Sequence, residues 1–224
     1  MLVRDRMTTN VITVSPETPI REALALMRRR HIRRLPVLQE GELVGIVTWT
    51  DLMRAQPSAM TSLSRWEIPV LLEKAQVREV MTPRPRVVAP DIPLEEAAMM
   101  MRLQKIGGLP VVQKGVLLGI VTESDIFDAF IALLGAPLPS YRVTVEVNDT
   151  AAALPDVTAA VRVLGLRLYS LATYPGEKGR LRVVLRVEPA IPLLSLVEGL
   201  KEHGLHTIHA TGGTQFLQTA QAPG

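Results

Sequence analysis

Apolar positions in two segments of the chain repeat with the spacing of one face of a helix. In the first segment, four residues follow the i, i+3, i+4, i+7 pattern: Ile20, Ala23, Leu24 and Met27. The second segment repeats the pattern with Leu94, Ala97, Ala98 and Met101. Thr18 is placed to cap the first helix, and Pro19 to occupy its first position. The pattern therefore predicts one amphipathic helix in each segment.

Short runs rich in β-branched residues follow each of these helices. The first copy predicts strands over 35–38 and 43–48 around a turn at Glu40 and Gly41. Another helix is predicted to begin at Asp51, and at Asp125 in the second copy. With a first strand ahead of the amphipathic helix, each segment is predicted to run strand, helix, strand, strand, helix.

The two segments are copies of one unit. Residues 3–55 align without a gap to residues 77–129. LPVLQEGELVGIVTWTD (35–51) and LPVVQKGVLLGIVTESD (109–125) are nearly identical. Two copies, rather than a long array, favour a pseudo-symmetric pair that buries a shared face.

The pattern changes after a linker at 135–140. Strands are predicted at 141–147, 167–174, 180–188 and 205–210, with helices at 151–164 and 192–204. This βαββαβ order is that of a ferredoxin-like module. The predicted fold class is α+β. The domains are a first copy (1–60), an inter-repeat helix (61–76), a second copy (77–134), the linker (135–140), a C-terminal module (141–212) and a flexible tail (213–224).

Composition excludes several classes of protein. Apolar residues make up 47% and charged residues 21%, with a mean hydropathy of +0.22, which excludes an intrinsically disordered chain. The longest apolar stretch, near 129–139, is too short to cross a bilayer, and the N-terminus has no apolar signal region. There is no cysteine, hence no disulfide or thiolate nucleophile. We expect a cytoplasmic protein without a membrane partner.

A polar motif ends the last strand of each copy: Gly-Ile-Val-Thr-x-[Thr/Ser]-Asp, at 45–51 and 119–125. It places a hydroxyl and a carboxylate at a strand-to-helix junction, where a carboxylate can accept both hydroxyls of a ribose and the helix N-terminus favours phosphate. Thr and Asp are also ordinary helix N-caps. Both interpretations stand, and the duplication favours the ligand site.

The two copies resemble CBS domains, and the pair resembles a Bateman module over about residues 1–134. The matching segments are MTTNVITVSPETPIREALALMRRRHIRRLPVLQEGELVGIVTWTD and MTPRPRVVAPDIPLEEAAMMMRLQKIGGLPVVQKGVLLGIVTESD. The resemblance implies two clefts between the copies that bind an adenine nucleotide (AMP, ADP or ATP) or S-adenosylmethionine. It also implies a regulatory, non-catalytic role that requires no metal.

The resemblance also implies site residues. Ribose contacts are expected from Thr48, Thr50 and Asp51 in one cleft and from Thr122, Ser124 and Asp125 in the other. The positions for phosphate are Arg33 and Arg34 in copy one and Gly107 and Gly108 in copy two. Adenine is expected against Thr8, Ile12, Ile32 and Pro36, and against Thr82, Arg86, Ile106 and Pro110. Because glycines replace the two arginines in copy two, we expect one tighter cleft and one that is weak or vacant.

The arginine-rich run over 28–34 has three interpretations. It can bind nucleic acid, neutralise a helix C-terminus, or bind the phosphates of the ligand. The net charge is only +3, and aromatic residues make up 4% of the chain, so a nucleic-acid partner is disfavoured. We assign 28–30 to the helix end and the two arginines at 33 and 34 to the ligand.

The C-terminal module resembles an ACT domain over about 139–212. The Asp-x-Pro-Gly turn typical of that family is absent, and Asn148, Asp149, Thr150 and Ala151 stand there instead. Asn148 and Asp149 mark either an amino-acid site or a plain loop. The whole chain resembles the acetoin-utilisation AcuB-type family, which implies a protein partner in acetoin or acetate metabolism. Because CBS and ACT modules usually pair, the resemblance to both also implies a homodimer.

Neither a metal site nor a catalytic site is predicted. His206 and His209 lie three apart on a strand, so they are expected on opposite faces, and His203 ends a helix. The chain has no phosphate-binding loop, nucleophile elbow or His-Glu-x-x-His motif. The leading hypothesis is an adenosyl sensor. The alternatives are a ligand-free dimerisation scaffold and amino-acid sensing by the ACT-like module.

Overall fold

The computed structural model describes residues 1–55, 75–136 and 138–212 of the chain. It divides the chain into two compact units, Met1–Phe127 and Asp128–Gly224, here called the N-terminal and C-terminal units. The division falls inside a helix, ahead of the change of pattern at 135–140. Residues 61–74, for which an inter-repeat helix is predicted, and residues 213–224, for which a flexible tail is predicted, lie outside the described residues.

The N-terminal unit contains both copies of the repeat as far as Phe127, which lies inside the last helix of copy two. Copy one has α1 (Ile20–Arg30), β1 (Arg34–Gln39), β2 (Glu42–Thr48) and α2 (Trp49–Arg54). Copy two has β3 (Thr82–Pro83), α3 (Leu94–Gln104), β4 (Gly108–Gln113), β5 (Val116–Thr122) and α4 (Glu123–Leu133). Each copy also carries a short 3-10 turn, Val3–Asp5 or Val77–Glu79.

Each copy forms an antiparallel hairpin after its amphipathic helix. The hairpin loop in copy one has positive φ at both central residues, 52° at Glu40 and 87° at Gly41, which is the conformation of a tight two-residue turn. Copy two repeats it with 51° at Lys114 and 81° at Gly115. The predicted strands and turns of the hairpins are therefore confirmed.

Three local predictions are wrong. The first strand of each copy is shorter than predicted: the segment ahead of α1 makes only isolated bridges, such as Val14 to Val37, and the segment ahead of the helix of copy two has the two-residue β3 and the bridge of Val88 to Val111. Thr18 does not cap α1, because its hydroxyl accepts the N–H of Ser15 at 3.1 Å and Pro19 is the N-cap residue. The last helices begin at 49 and 123, two residues before the aspartates, since each aspartate stands in the first turn instead of opening it.

The copies exchange their leading segments. β3 of copy two pairs with β2 of copy one, and Thr8 of copy one exchanges two backbone hydrogen bonds with Ile120 of copy two, at 2.9 and 3.0 Å. Val77 of copy two is fully buried in the core that α1, β1 and β2 of copy one form. The copies thus share one fold unit, as predicted for a pair with a shared face.

The glycine of each Gly-Ile-Val-Thr motif permits this exchange. A Cβ at Gly119 would lie 2.7 Å from the sulfur of Met7 and 2.8 Å from the carbonyl oxygen of Thr8. A Cβ at Gly45 would meet Met81 in the same way. Only glycine lets the exchanged segment approach so closely.

The C-terminal unit is a four-stranded antiparallel sheet with two helices on one face. Its elements are β6 (Tyr141–Asn148), α5 (Ala153–Val163), β7 (Leu168–Pro175), β8 (Arg180–Val187), α6 (Leu193–Glu202) and β9 (His206–Gly212). The strand order is β7-β8-β6-β9. Val143 and Leu185 on the sheet pack with Val157 and Leu196 on the helices. The ferredoxin-like βαββαβ order and the α+β class are confirmed.

Within the described residues, no helix is both long and apolar enough to span a membrane.

Candidate functional site

Two cavities lie in the N-terminal unit, each built from both copies. Cleft A, of about 450 Å³, lies between the leading segment of copy one and the junction of β5 and α4 in copy two. Cleft B, of about 750 Å³, lies between the leading segment of copy two and the junction of β2 and α2 in copy one. Both fall in the range of roughly 300–1,000 Å³ that is typical of small-molecule sites.

Most of the predicted site residues line these clefts. Cleft A contains Thr8, Ile12, Ile32, Arg33, Arg34, Thr122, Ser124 and Asp125. Cleft B contains Arg33, Arg34, Thr48, Thr50, Thr82, Arg86, Ile106, Gly107, Gly108 and Pro110. Two predicted residues, Pro36 and Asp51, line neither cleft A nor cleft B. Pro36 is buried, and Asp51 is half-buried.

The aspartate of each motif is held by the threonine before it. Asp51 Oδ2 accepts the N–H of Thr48 at 2.9 Å and its hydroxyl at 2.6 Å, and Thr48 Oγ1 accepts the Asp51 N–H at 3.2 Å. Asp125 Oδ2 accepts the N–H and the hydroxyl of Thr122, both at 2.7 Å. Thr48 is thus the N-cap residue of α2 with Asp51 as its capping-box partner, and Asp125 accepts the matching bonds from Thr122. In each carboxylate Oδ2 accepts both bonds from the threonine, so these bonds do not use Oδ1. Capping and ligand binding are therefore compatible roles for the same carboxylate.

Arg34 joins the two clefts. It lines both, and its guanidinium occupies the space beside Gly107, where a methyl group would overlap it. Such a methyl group would also lie 2.8 Å from Oε2 of Glu123. Burial lowers the pKa of Arg34, Glu123 raises it in opposition, and Arg33 lowers it further.

The predicted cause of inequivalence therefore needs correction. We expected the arginines of copy one to serve one cleft and the glycines of copy two to leave the other without guanidinium groups. Instead, Arg33 and Arg34 reach both clefts, because Gly107 leaves room for the side chain of Arg34. Any difference between the clefts must come from their other residues.

Several lining residues were missed by sequence reasoning. In cleft A they are Asn10, Val11, His31, Ile120 and Glu123; in cleft B they are Ile46, Trp49, Arg84, Pro85 and Lys105. The signal that could have found many of them is the alignment of the copies, since Asn10 aligns with Arg84 and His31 with Lys105. The guanidinium of Arg28 also lies over the ring of Trp49, with its Cζ 5.3 Å from the ring centroid.

The C-terminal unit has a smaller cavity next to the loop that follows β6. It measures about 280 Å³, and Asn148, Asp156 and Arg180 line it. Arg180 donates a hydrogen bond to Asn148 Oδ1 at 2.9 Å. Asp149, the other residue proposed for an amino-acid site, does not line this cavity.

The expectation that His206 and His209 face opposite ways is wrong. A β-bulge leaves Ile208 unpaired, so His206 lies opposite Glu146 and His209 opposite Thr144. Both partners are on one face of β6, which brings the two histidines to one face. In the ranges 1–55, 75–136 and 138–212, no group of three or more His, Asp or Glu side chains is arranged to hold a metal ion.

Comparison with known proteins gives one matching family. The model of the CBS domain matches residues 3–58 and 77–132. A CBS domain-containing protein of Dictyostelium discoideum is 35% identical over 141 residues, which is 62% of this chain and 97% of the relative.

Two solved structures are similar as well. One is a Vibrio cholerae protein described as an acetoin utilization protein (AcuB). It has a TM-score of 0.52 and 36% identity, and the match covers 61% of this chain and 95% of that one. The other is the CBS-pair protein CBSX2 of Arabidopsis thaliana, in complex with AMP. It has a TM-score of 0.50 and 32% identity, and the match covers 58% of this chain and 97% of that one.

Proposed function

Because this chain belongs to the CBS-domain family, we propose that it is a regulatory sensor for an adenosyl ligand. The ligand is AMP, ADP, ATP or S-adenosylmethionine, and it binds in clefts A and B. The C-terminal ACT-like unit, or a protein partner, receives the resulting change. The proposal assigns no catalytic step and no metal to the chain.

One observation carries the proposal: each cleft is made by both copies and places hydroxyls at a strand-to-helix junction. In cleft A, Thr122 and Ser124 stand there with the carboxylate of Asp125, and Thr8 and Ile12 come from the other copy. Asp125 Oδ2 is used by the cap, which leaves Oδ1 for the hydroxyls of a ribose. The relative CBSX2 in complex with AMP supports the same ligand class.

Binding in a shared cleft is a suitable basis for a signal. A ligand held by both copies stabilises the arrangement of the copies that it fits best. It shifts an equilibrium only by the difference of its affinities for two arrangements. The exchanged segments of the copies are the elements that such a difference would act on.

Thermal unfolding of the ligand-free full chain with each adenosyl compound tests the proposal. A ligand at about 100 times its Kd should raise the free energy of unfolding by about 2.7 kcal/mol. If no adenosyl compound raises the melting temperature, the adenosyl sensor is refuted, and if no amino acid raises it either, the chain is a dimerisation scaffold. Stabilisation by amino acids alone would instead favour sensing by the C-terminal unit, with Asn148 and Arg180 as its candidate residues.

We also propose a cytoplasmic homodimer with a protein partner in acetoin or acetate metabolism. The similarity to the Vibrio cholerae protein described as AcuB supports the metabolic link. Light scattering after size exclusion tests the assembly, because a mass close to one chain of 24.6 kDa would contradict a dimer.

A further inference from the structure

We infer that the two clefts select their ligands by charge: cleft B takes an adenosine polyphosphate, and cleft A takes an adenosine compound with one phosphate or none. This inference rests on the proposed function, because it assigns a ligand class to each of the same two clefts. It goes beyond that function in predicting that the clefts respond to different molecules.

The repeat provides an internal comparison. Residues 3–55 align without a gap to 77–129, so each residue that lines one cleft has a counterpart in the other copy. The threonines at 48 and 122 match, and so do the hydroxyls at 50 and 124. The clefts differ in charge at four matched pairs, with the cleft A member first: Asn10 and Arg84, Ile12 and Arg86, His31 and Lys105, Glu123 and Trp49.

Cleft B is lined by cations. Arg84, Arg86 and Lys105 add to the shared Arg33 and Arg34. Among the described residues that line cleft B there is no carboxylate. Several cations around one concave surface reinforce each other's potential and favour a ligand with several negative charges. Guanidinium groups also match the planar, bidentate geometry of phosphate oxygens.

Cleft A carries carboxylates. Glu123 and Asp125 line it, and Glu123 stands at the position where cleft B has an uncharged indole. Glu123 also raises the pKa of Arg34, so its negative charge partly offsets this shared cation. A polyphosphate chain carries more negative charge than a single phosphate, so these carboxylates repel it more strongly.

Size and backbone geometry agree with this assignment. Cleft B has a volume of about 750 Å³ against about 450 Å³ for cleft A, so it has room for the longer ligand. Arg84 has a φ of 46°, a left-handed conformation that costs energy for a residue other than glycine. Its N–H donates to the carbonyl of Val44 at 3.0 Å, and Pro83 and Pro85 flank it. The hydrogen bond to Val44 helps to hold Arg84 in this conformation, in which it lines cleft B.

Calorimetry of the full chain with ATP and with AMP, both without divalent cations, tests the inference. The wild type should bind ATP at one site per chain. The variant Arg84→Asn with Arg86→Ile, which gives cleft B the residues of copy one, should lose at least tenfold in ATP affinity and less than threefold in AMP affinity. The control Arg29→Asn with Arg102→Ile removes the same charge from exposed helix positions and should leave both affinities unchanged.

Two further measurements do not depend on the folding of that variant: one changes a residue of cleft A, and the other uses the wild type. Glu123→Gln should strengthen ATP binding in cleft A, because it removes one of the two repelling carboxylates and leaves Asp125 in place; unchanged ATP binding in this variant would count against repulsion by Glu123. In the wild type, added salt should weaken ATP binding more steeply than AMP binding. Equal salt dependence, or equal loss of ATP and AMP affinity in the arginine variant, would overturn the inference.

The failure of this inference is distinguishable from the failure of the proposed function. If the wild type binds neither ATP nor AMP, the sensor itself is refuted. If it binds ATP in both clefts with equal affinity, the sensor stands and selection by charge is wrong.

Discussion

Asp125 and Asp51 occupy equivalent positions in the two copies, but the clefts use them differently. Each carboxylate accepts two hydrogen bonds from the threonine three residues before it through Oδ2. Asp125 also lines cleft A, while Asp51 does not line cleft B. At the scale of the residue, one aspartate is therefore a cap and a candidate ribose ligand, and the other is a cap.

This difference predicts separate effects for two single substitutions. Asp51→Ala should lower the free energy of unfolding by about 1 kcal/mol, the usual loss for a helix cap, and leave AMP affinity in cleft A unchanged. Asp125→Asn keeps an oxygen that can accept the Thr122 bonds, so its free energy of unfolding should be close to that of the wild type. Because it loses the negative charge that binds the ribose hydroxyls, it should bind AMP at least tenfold more weakly. Urea unfolding and calorimetry measure the two quantities. Unchanged AMP affinity in Asp125→Asn would remove the carboxylate from the ribose site.

A second prediction at this scale concerns Gly107 and Arg34. Gly107→Ala should destabilise the fold and weaken ligand binding in both clefts, because the methyl group displaces the Arg34 guanidinium. Adding Arg34→Ala removes the overlapping group, so the stability cost of Gly107→Ala should largely disappear in that background. A double-mutant cycle measures this coupling. Additive costs would show that the guanidinium does not occupy this space.

At the scale of the element, the exchanged leading segments position both clefts. Periodicity predicts the amphipathic helices and the hairpins, because these depend on residues close in sequence. The bridge between Thr8 and Ile120 and the pairing of β3 with β2 join residues far apart in sequence, and no local pattern encodes them. The same reason explains why the first strand of each copy was overestimated: an apolar run does not specify how many of its residues find a partner.

The exchanged segments predict unequal costs for two equivalent glycines. A Cβ at Gly119 would approach the backbone oxygen of Thr8 to 2.8 Å, whereas one at Gly45 would lie 3.3 Å from the backbone oxygen of Thr82. The methionines nearby can move and the backbone cannot do so easily. Gly119→Ala should therefore lose more stability than Gly45→Ala, within the roughly 1–3 kcal/mol typical of overpacking. Equal melting temperatures would contradict the exchange as described.

At the scale of the whole molecule, the repeat and the ferredoxin-like unit could be predicted from the sequence, and so could most of the residues in the clefts. The sharing of Arg33 and Arg34 by both clefts could not, because it depends on a side chain of copy one filling the space beside a glycine of copy two. The bulge at Ile208 likewise changes which face His209 occupies without any mark in the alternation of the strand. Such features arise from pairing and packing across the chain.

Isothermal calorimetry of AMP with the full chain, freed of co-purified small molecules, tests the central claim most directly. We expect at least one AMP site per chain, with affinity that falls at least tenfold in Asp125→Asn. Circular dichroism should first show that the wild-type chain is folded. The account would be contradicted if this folded chain gave no heat of binding with AMP, ATP or S-adenosylmethionine at any temperature tried.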